Sequence, residues 1–354
     1  MIQIRTLTDG GQSAREIALL LAAFLERAER TLAIALYDIE LSGEIEAIVR
    51  KALVDAHERG VQVRLLYNLE PTLEDRVPVP PPPKTDPPLV EELPFETVGV
   101  PGTPNLMHHK FVVRDGRTTW TGSTNWTDDS WTREENVIVV VDSRAVAIRY
   151  EQDFGQLWNT RDVDKSGRVA SDPIDVGSVA VRTWFSPKRG EKLAHRIGNA
   201  IACAERRVRI ASPVITSGPV LGTLAEVVAD GRVDVAGIVD NTQVDEVLRQ
   251  WTLIPEKTWK TPALRAVFSR DGFAGKRSTP YAPDAVHDYM HAKITVCDDT
   301  AFVGSFNLSH SGEQNAENVL ELEDAGLADE LGRYVDEIRA RYPPVELDSA
   351  AGVA

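Results

Sequence analysis

Cysteine and long apolar runs are scarce in this chain, and each shortage excludes a class of protein. The two cysteines, Cys203 and Cys297, are too few for a disulfide framework, and neither belongs to a metal-binding pair. The longest apolar run, residues 17–25, is far shorter than the roughly 20 residues of a membrane-spanning helix. It follows Arg15 and Glu16 and lacks a small-residue cleavage site, so it is not typical of a signal peptide. We therefore predict a cytoplasmic protein.

Positive charge is also in short supply. Lysine and arginine total 39 against 54 aspartates and glutamates, a net charge of −15. This balance disfavours a protein that binds nucleic acid nonspecifically, and it disfavours an anionic membrane as well, so it separates these partners only weakly. Residues 249–277 oppose the trend with a local net charge of about +5 and two tryptophans, Trp251 and Trp259. They form either a solvated loop or an electropositive, aromatic rim over a site.

An internal repeat organises the chain, because the order β, α, β, α, β occurs twice. We predict strands at 2–6, 31–37 and 61–68 with helices at 14–28 and 42–58, and then strands at 179–183, 207–213 and 233–241 with helices at 191–204 and 217–229. Alternating strands and helices indicate an α/β fold. We expect two pseudo-symmetric halves, residues 1–170 and 171–354, each a mixed β-sheet flanked by helices.

A proline-rich segment interrupts the first half at residues 78–88. Such a run favours polyproline II geometry and is incompatible with a helix or a central strand. We interpret it as a stiff surface loop; the alternative is a docking site for a proline-reading partner.

One chemical motif occurs in both halves. Residues 108–115 read HHKFVVRD, and residues 291–298 read HAKITVCD. Positions two apart on a strand share a face, so the histidine and the lysine of each copy are expected to point the same way. Asp115 and Asp298 lie an odd seven residues beyond the histidines, which predicts the opposite face and a structural role.

A second pattern follows each copy. GSTN stands at 122–125 and GSFN at 304–307, and ten residues beyond each asparagine come Glu135-Asn136 and Glu317-Asn318. A single copy of either motif has little specificity. The same five-part order in both halves is hard to explain by structure alone, so we expect a catalytic site.

These residue types suit phosphodiester chemistry. Lysines and asparagines neutralise non-bridging oxygens, and two imidazoles supply a nucleophile and an acid. A carboxylate such as Glu135 or Glu317 would hold the second nitrogen of a histidine. No metal ion or other cofactor is expected, because lysine charge can replace it and the sequence has no typical metal motif.

The doubled HxKxxxxD…GSxN pattern, with FSP at 185–187, resembles the phospholipase D superfamily. The resemblance implies an active site at the interface of the halves. It also implies that His108 attacks phosphorus to form a phosphohistidine, and that His291 protonates the leaving alcohol and then activates water. The catalytic set would be His108, Lys110, His291 and Lys293, and the supporting set Asn125, Asn307, Ser123, Ser305, Glu135, Glu317, Asp115 and Asp298. The near-symmetry of the motifs does not by itself choose the nucleophile.

The substrate stays open at this point. We favour a phospholipase D-type hydrolase acting on a phospholipid headgroup, with transient membrane contact through a rim containing Trp126, Trp131, Trp251 and Trp259. The alternatives are a metal-independent endonuclease on DNA or RNA, a phosphatidyltransferase, and a non-catalytic phosphate-binding module. Both motif copies are intact, which favours an enzyme. No obligatory protein partner is indicated, and a monomer would suffice.

Overall fold

The computed structural model describes residues 1–69, 90, 92–257, 259–269, 271–281 and 285–347. The proline-rich segment 78–88 lies outside these residues. Two mixed β-sheets with flanking helices form the described chain, which confirms the predicted α/β class and its pseudo-symmetric halves. The strands of one sheet all come from residues 2–142 and those of the other from residues 174–323.

Within the described ranges, the first sheet has seven strands. Their spatial order is β1 (Ile2–Leu7), β9 (Asn136–Asp142), β7 (Thr118–Gly122), β6 (Lys110–Arg114), β2 (Thr31–Leu36), β4 (Gln62–Leu69) and β5 (Glu96–Pro101). The last two pairings are parallel and the others antiparallel. Two short strands, β3 (Ile39–Glu40) and β8 (Trp126–Thr127), form a separate parallel pair.

The second sheet repeats this order and adds one edge strand. It runs β10 (Ile174–Val176), β11 (Val179–Ser186), β17 (Glu317–Glu323), β16 (Thr300–Gly304), β15 (Ile294–Cys297), β12 (Arg207–Ala211), β13 (Asp234–Asp240) and β14 (Phe273–Lys276). Strands β6 and β15, which follow the two motif histidines, are therefore equivalent and lie near the middle of their sheets.

Helices cover the outer faces of the sheets. On the first sheet these are α1 (Ala14–Glu26) and α2 (Gly43–Glu58); on the second they are α5 (Gly190–Cys203), α6 (Gly218–Asp230), α7 (Asn241–Trp251) and α8 (Lys260–Phe268). Local sequence explains helix α1: Ser13 and Glu16 form a capping box at its N-terminus, and Ile17, Leu21 and Leu25 form its buried face. Helix α8, β14 and the end of α7 occupy residues 249–287, where the sequence shows no clear periodicity.

The inner faces of both sheets share one hydrophobic core. Helices α4 (Arg144–Thr160) and α10 (Ala325–Arg339) contribute to it, together with buried residues of β6, β9, β15 and β17. Two one-turn helices, α3 (Asp128–Thr132) and α9 (His310–Gln314), lie beyond the two GSxN segments. Since the halves bury apolar surface against each other, an isolated half would expose this core. No helix in the described part of the chain is long and apolar enough to span a membrane.

Candidate active site

The two motif histidines lie where the halves meet. The backbone N–H of His108 donates to the carbonyl of Ala316 at 2.9 Å, and that of His291 donates to the carbonyl of Glu135 at 3.1 Å. Each histidine is thus hydrogen-bonded to the opposite half. The fold brings the two motif copies together at this interface.

The two lysines share this buried position. Lys110 Nζ donates to the carbonyl of His108 at 2.8 Å, and Lys293 Nζ donates to that of His291 at 2.5 Å. Burial lowers the pKa of Lys110 to about 7, and burial together with the charge of Lys110 lowers the pKa of Lys293. Two ammonium groups in one buried site suit an anionic ligand, which would stabilise their charged forms.

The surroundings of both imidazoles favour the neutral form over the protonated one. Burial, followed by the charges of Lys110 and Lys293, lowers the pKa of each histidine well below its ordinary value. Tyr37 adds a wall: its ring centroid lies 4.5 Å from that of His108 in an edge-on arrangement, and Lys110 Nζ lies 4.7 Å from its ring centroid. Tyr37 was not predicted as a site residue, although its position just after β2 could have suggested it.

His108 is bound directly by a carboxylate of the other half. Its Nδ1 lies 2.8 and 2.9 Å from the two carboxylate oxygens of Glu317, which is fully buried. Burial raises the pKa of Glu317 to about 8, opposed by the charge of Lys110. A carboxylate at Nδ1 fixes the tautomer and leaves Nε2 free for chemistry.

His291 is held differently. Its Nδ1 lies 3.2 Å from Asn136 Oδ1 and 3.3 Å from Glu134 Oε2. Asn136 in turn donates its Nδ2 to Glu134 Oε2 at 2.9 Å. The partner of the second histidine is therefore an amide, and it is supported by the carboxylate of Glu134, which was not predicted as a site residue.

Glu135, which was expected to bind a histidine side chain, binds other residues instead. Its carboxylate accepts from Lys276 Nζ at 2.9 Å and from the hydroxyl of Tyr342, and it is fully buried. The structure thus contradicts the equivalence of Glu135 and Glu317 that equal spacing suggested. Gly122 pairs with Ile138 in one half, whereas Gly304 pairs with Val319 in the other. The first half therefore has one more residue than the second between the GSxN glycine and the residue that pairs with it, so Asn136 in β9 occupies the position that Glu317 occupies in β17.

The serines of the GSxN segments support these partners. Ser123 Oγ donates to Asn136 Oδ1 at 2.6 Å and accepts from the N–H of Val137 at 3.0 Å. Ser305 Oγ accepts from the N–H of Asn318 at 3.0 Å. Both serines are fully buried, so they anchor the strands that carry Asn136 and Glu317.

The asparagines of the same segments keep hydrogen-bonding capacity. Oδ1 of Asn125 and Oδ1 of Asn307 are buried and have no hydrogen-bond partner among the described residues. Since a buried polar atom without a partner is costly, these amides are suited to a ligand.

The aspartates of the motifs face away from the histidines, as their odd spacing predicts. The carboxylate of Asp115 accepts from the backbone N–H groups of Glu29, Arg30 and Thr31. Asp298 does the same for residues 205–207 of the second half. Both aspartates have a left-handed backbone, with φ of 56° and 52°. They tie a turn of each sheet to the start of the neighbouring strand.

A buried polar network behind His108 joins the halves. The adjacent His109 contacts Asp153 at 2.8 Å through Nε2 and Asn318 at 3.1 Å through Nδ1. Asn318 Oδ1 also accepts from the hydroxyls of Thr121 and Tyr150. Asn318 therefore stabilises the interface and does not bind His291.

The expected aromatic rim is mostly buried. Trp126, Trp131 and Trp251 belong to the cores, whereas Trp259 is 50% exposed and nearby Leu253 is 80% exposed. Lys260 Nζ lies 5.7 Å from the ring centroid of Trp259 and donates to the carbonyl of Thr216.

Several of the basic residues of segment 249–277 are neutralised by ion pairs. Lys276 is buried in the ion pair with Glu135, and Arg277 pairs with Asp245 and Glu346. Arg249 pairs with Glu246, and Arg270 lies outside the described residues. Of the six cations among the described residues of this segment, Arg249, Lys276 and Arg277 are therefore already engaged in ion pairs.

A duplicated α/β fold whose halves join two His–Lys motifs at one interface defines the phospholipase D superfamily. Within the described ranges, no group of three or more His, Cys, Asp or Glu residues could hold a metal ion. A family model described as "Cardiolipin synthase, PLD-like domain" matches residues 21–158 and 197–339, so the chain belongs to this phospholipase D-like family.

Curated relatives match over part of the chain. A mitochondrial cardiolipin hydrolase of Xenopus tropicalis is 27% identical over 146 residues, covering 40% of this chain and 61% of the relative. One of Chlamydomonas reinhardtii is 30% identical over 141 residues, covering 38% of this chain and 55% of the relative. The chain thus spans less than two thirds of the length of these relatives.

Solved structures support the fold over almost the whole chain. The phosphatidylserine synthase of Haemophilus influenzae aligns with a TM-score of 0.64 at 14% identity, covering 95% of this chain and 86% of that structure. The polyphosphate kinase of Porphyromonas gingivalis aligns with a TM-score of 0.56 at 11% identity, covering 94% and 49%. Because these proteins have different names and the same fold, the fold alone does not define a reaction.

Proposed function

We propose that this protein is a metal-independent phosphodiesterase of the phospholipase D type, which cleaves a phospholipid headgroup through a phosphohistidine on His108. The observation that carries the proposal is the joint site: His108 bound by Glu317, His291 bound by Asn136, and two buried lysines beside them. Each half supplies only part of this set.

The first step uses the free nitrogen of His108. With Nδ1–H donated to Glu317, the Nε2 lone pair attacks phosphorus and the bond from phosphorus to the leaving oxygen breaks. His291, protonated for this step, gives its Nε2 proton to that oxygen. Lys110 and Lys293 neutralise the non-bridging oxygens.

The second step reverses the proton transfer. His291, now neutral, takes a proton from water while the water oxygen bonds to phosphorus and the phosphorus–nitrogen bond breaks. His108 and His291 return to their starting states, so hydrolysis balances without a metal ion.

The unequal histidine partners support this division of roles. A phosphorylated imidazole with Nδ1–H intact carries positive charge, and His108 has the closer carboxylate: Glu317 lies 2.8 Å from His108 Nδ1, whereas Glu134 lies 3.3 Å from His291 Nδ1. His291 faces a neutral amide, which favours a group that gains and loses a proton.

Action at a lipid surface is supported by the exposed Leu253 and Trp259 and by the names of the curated relatives, which are cardiolipin hydrolases. Thr216, which accepts from Lys260, donates its own N–H to Leu308, the neighbour of Asn307. These contacts link Lys260, which follows Trp259, to the GSxN segment of the second half, and they support a position of Trp259 near the site. The cytoplasmic location stays a prediction.

The test is a side-by-side assay in EDTA on phosphatidylcholine vesicles, cardiolipin vesicles, and single- and double-stranded DNA. We expect headgroup release, lost by at least about 1,000-fold in His108→Ala and His291→Ala. His195→Ala, a change at an exposed histidine, is the matched control. Full activity in the His108→Ala/His291→Ala double variant would refute the proposal, and DNA nicking without headgroup release would favour the endonuclease. An added acceptor alcohol separates hydrolysis from transfer.

Two further variants test the details. Covalent phosphate should be trapped on His291→Asn and absent from His108→Asn; the reverse result would exchange the two roles. Leu253→Ser with Trp259→Ser should lower turnover on vesicles several-fold and leave turnover of a soluble short-chain diester unchanged, because only the vesicle requires interfacial binding. Equal loss on both substrates would contradict membrane contact at this position.

A further inference from the structure

The two halves carry the same pair of side chains in exchanged order. Counting back from the paired strands, the first half presents Glu134 and Asn136 where the second half presents Asn315 and Glu317. In the second half the carboxylate touches the histidine, whereas in the first half the amide does and the carboxylate stands behind it. The strands pair in the same way in both halves, so the exchanged order of glutamate and asparagine changes only which group, carboxylate or amide, faces each imidazole.

We infer that Glu134 is the positioning residue of His291 and acts through Asn136. This inference rests on the proposed function for its catalytic consequence. Glu134 Oε2 accepts from Asn136 Nδ2 at 2.9 Å, which turns the amide so that Oδ1 faces His291 Nδ1. The same Oε2 lies 3.3 Å from His291 Nδ1.

The rest of the surroundings leave the amide little freedom. Asn136 Nδ2 also donates to the carbonyl and the hydroxyl of Ser130, and Asn136 Oδ1 accepts from Ser123. Glu134 is only 2% exposed, so solvent does not screen it from His291. Asn136 therefore orients the imidazole, and Glu134 supplies the negative charge that stabilises it when it is protonated.

The charged and titratable groups that act on Glu134 and His291 come from both halves. They are Lys110, Lys293, Lys276, His108, His287 and Tyr289. The cations oppose protonation of His291, so its imidazolium needs a nearby anion. Burial raises the pKa of Glu134 to about 7, which agrees with a carboxylate that changes charge in the working range.

Glu134→Gln tests this inference, because glutamine keeps an acceptor for Asn136 and removes only the charge. Without Glu134 the imidazolium is less stable, so the pKa of His291 falls. We expect NMR titration without substrate to show this fall, and the alkaline limb of kcat/KM to move down by about one pH unit. Glu321→Gln is the matched control, since that buried carboxylate pairs with Arg196 outside the site; it should leave both readings unchanged even if the melting temperature falls.

A second variant, in which the two residues are exchanged, keeps the inference testable if Glu134→Gln does not fold. Glu134→Asn with Asn136→Glu recreates the order of the second half and should return the pKa of His291 to at least its wild-type value. An unchanged His291 titration in Glu134→Gln, or no recovery in the folded exchange variant, would overturn the inference. The titration needs no turnover, so a protein that cleaves no phosphodiester would refute the proposed function and leave this result standing.

Discussion

Asp298 provides a direct test of whether the aspartate of the motif is structural. Its carboxylate accepts three backbone N–H groups, at 2.8 Å from Glu205 and 3.0 Å from both Arg206 and Arg207. Its backbone is left-handed, with φ of 52°. Asp298→Ala removes all three hydrogen bonds and leaves a backbone conformation that alanine adopts poorly.

The magnitude follows from these contacts. Three hydrogen bonds at about 1 kcal/mol each, and about 1 kcal/mol for alanine in a left-handed conformation, give a loss of about 4 kcal/mol. An unfolding entropy of about 2.1 cal/mol/K per residue over 354 residues converts this to a fall in Tm of about 5 °C. Asparagine tolerates the backbone and keeps one acceptor oxygen, so Asp298→Asn should cost about 1–2 kcal/mol.

Thermal unfolding with activity per folded molecule is the assay. Asp299→Asn is the matched control, because Asp299 is 55% exposed and its ion pair with Arg206 is worth less than about 1 kcal/mol. We expect Asp298→Asn to lose stability and keep its turnover. A large loss of turnover at unchanged Tm would refute the structural role.

The same contact gives a pH dependence with a defined sign. Burial raises the pKa of Asp298, but the three N–H groups outweigh it and the net pKa is lowered. The stabilisation is therefore present above the unfolded pKa, near 3.9, and is lost as pH falls through the lower folded value. The Tm difference between wild type and Asp298→Asn should shrink below about pH 4; a constant difference would contradict the charge-assisted contacts.

Two further predictions concern the buried charges. Lys276→Met should lower the free energy of unfolding, measured with denaturant, by about 3–5 kcal/mol, because it leaves the buried carboxylate of Glu135 without its cation. Adding Glu135→Gln should recover most of this loss, and equal instability of the double variant would contradict the pairing. When sulfate binds at pH 8, the protein should take up protons, because a bound anion raises the pKa of Lys110 from about 7. Calorimetry in two buffers of different ionisation enthalpy measures this proton uptake. Lys110→Gln should reduce it, and uptake equal to that of the wild type would assign the proton to another group.

Much of the fold could be predicted because its signals are local. The helix predicted at 14–28 is observed at 14–26, and the strand predicted at 207–213 is observed at 207–211. Apolar periodicity and end caps determine such elements over short stretches of chain. Helix α8 was missed because three of its nine residues are charged or polar and its buried face rests on only a few positions.

The candidate site could be predicted in its residue types and only partly in its contacts. The histidines, the lysines and Glu317 lie together, whereas Glu134 and Tyr37 were not identified and Glu135 was given a position that it does not hold. Equal counting from Asn125 and Asn307 suggested that the two glutamates correspond. The true correspondence depends on which residues pair across the sheet, and that pairing is not local.

The duplication, the two His–Lys motifs and the outward direction of the motif aspartates could all be read from the amino-acid sequence, because each depends on spacing along one strand or helix. Which side chain faces which histidine depends instead on how the strands pair in the folded chain. One extra residue before β9 shifts the alternation of that strand, and a shift of one residue turns a side chain to the other face of a sheet. This shift places the amide of Asn136, and not the carboxylate of Glu135, at His291, whereas His108 contacts the carboxylate of Glu317.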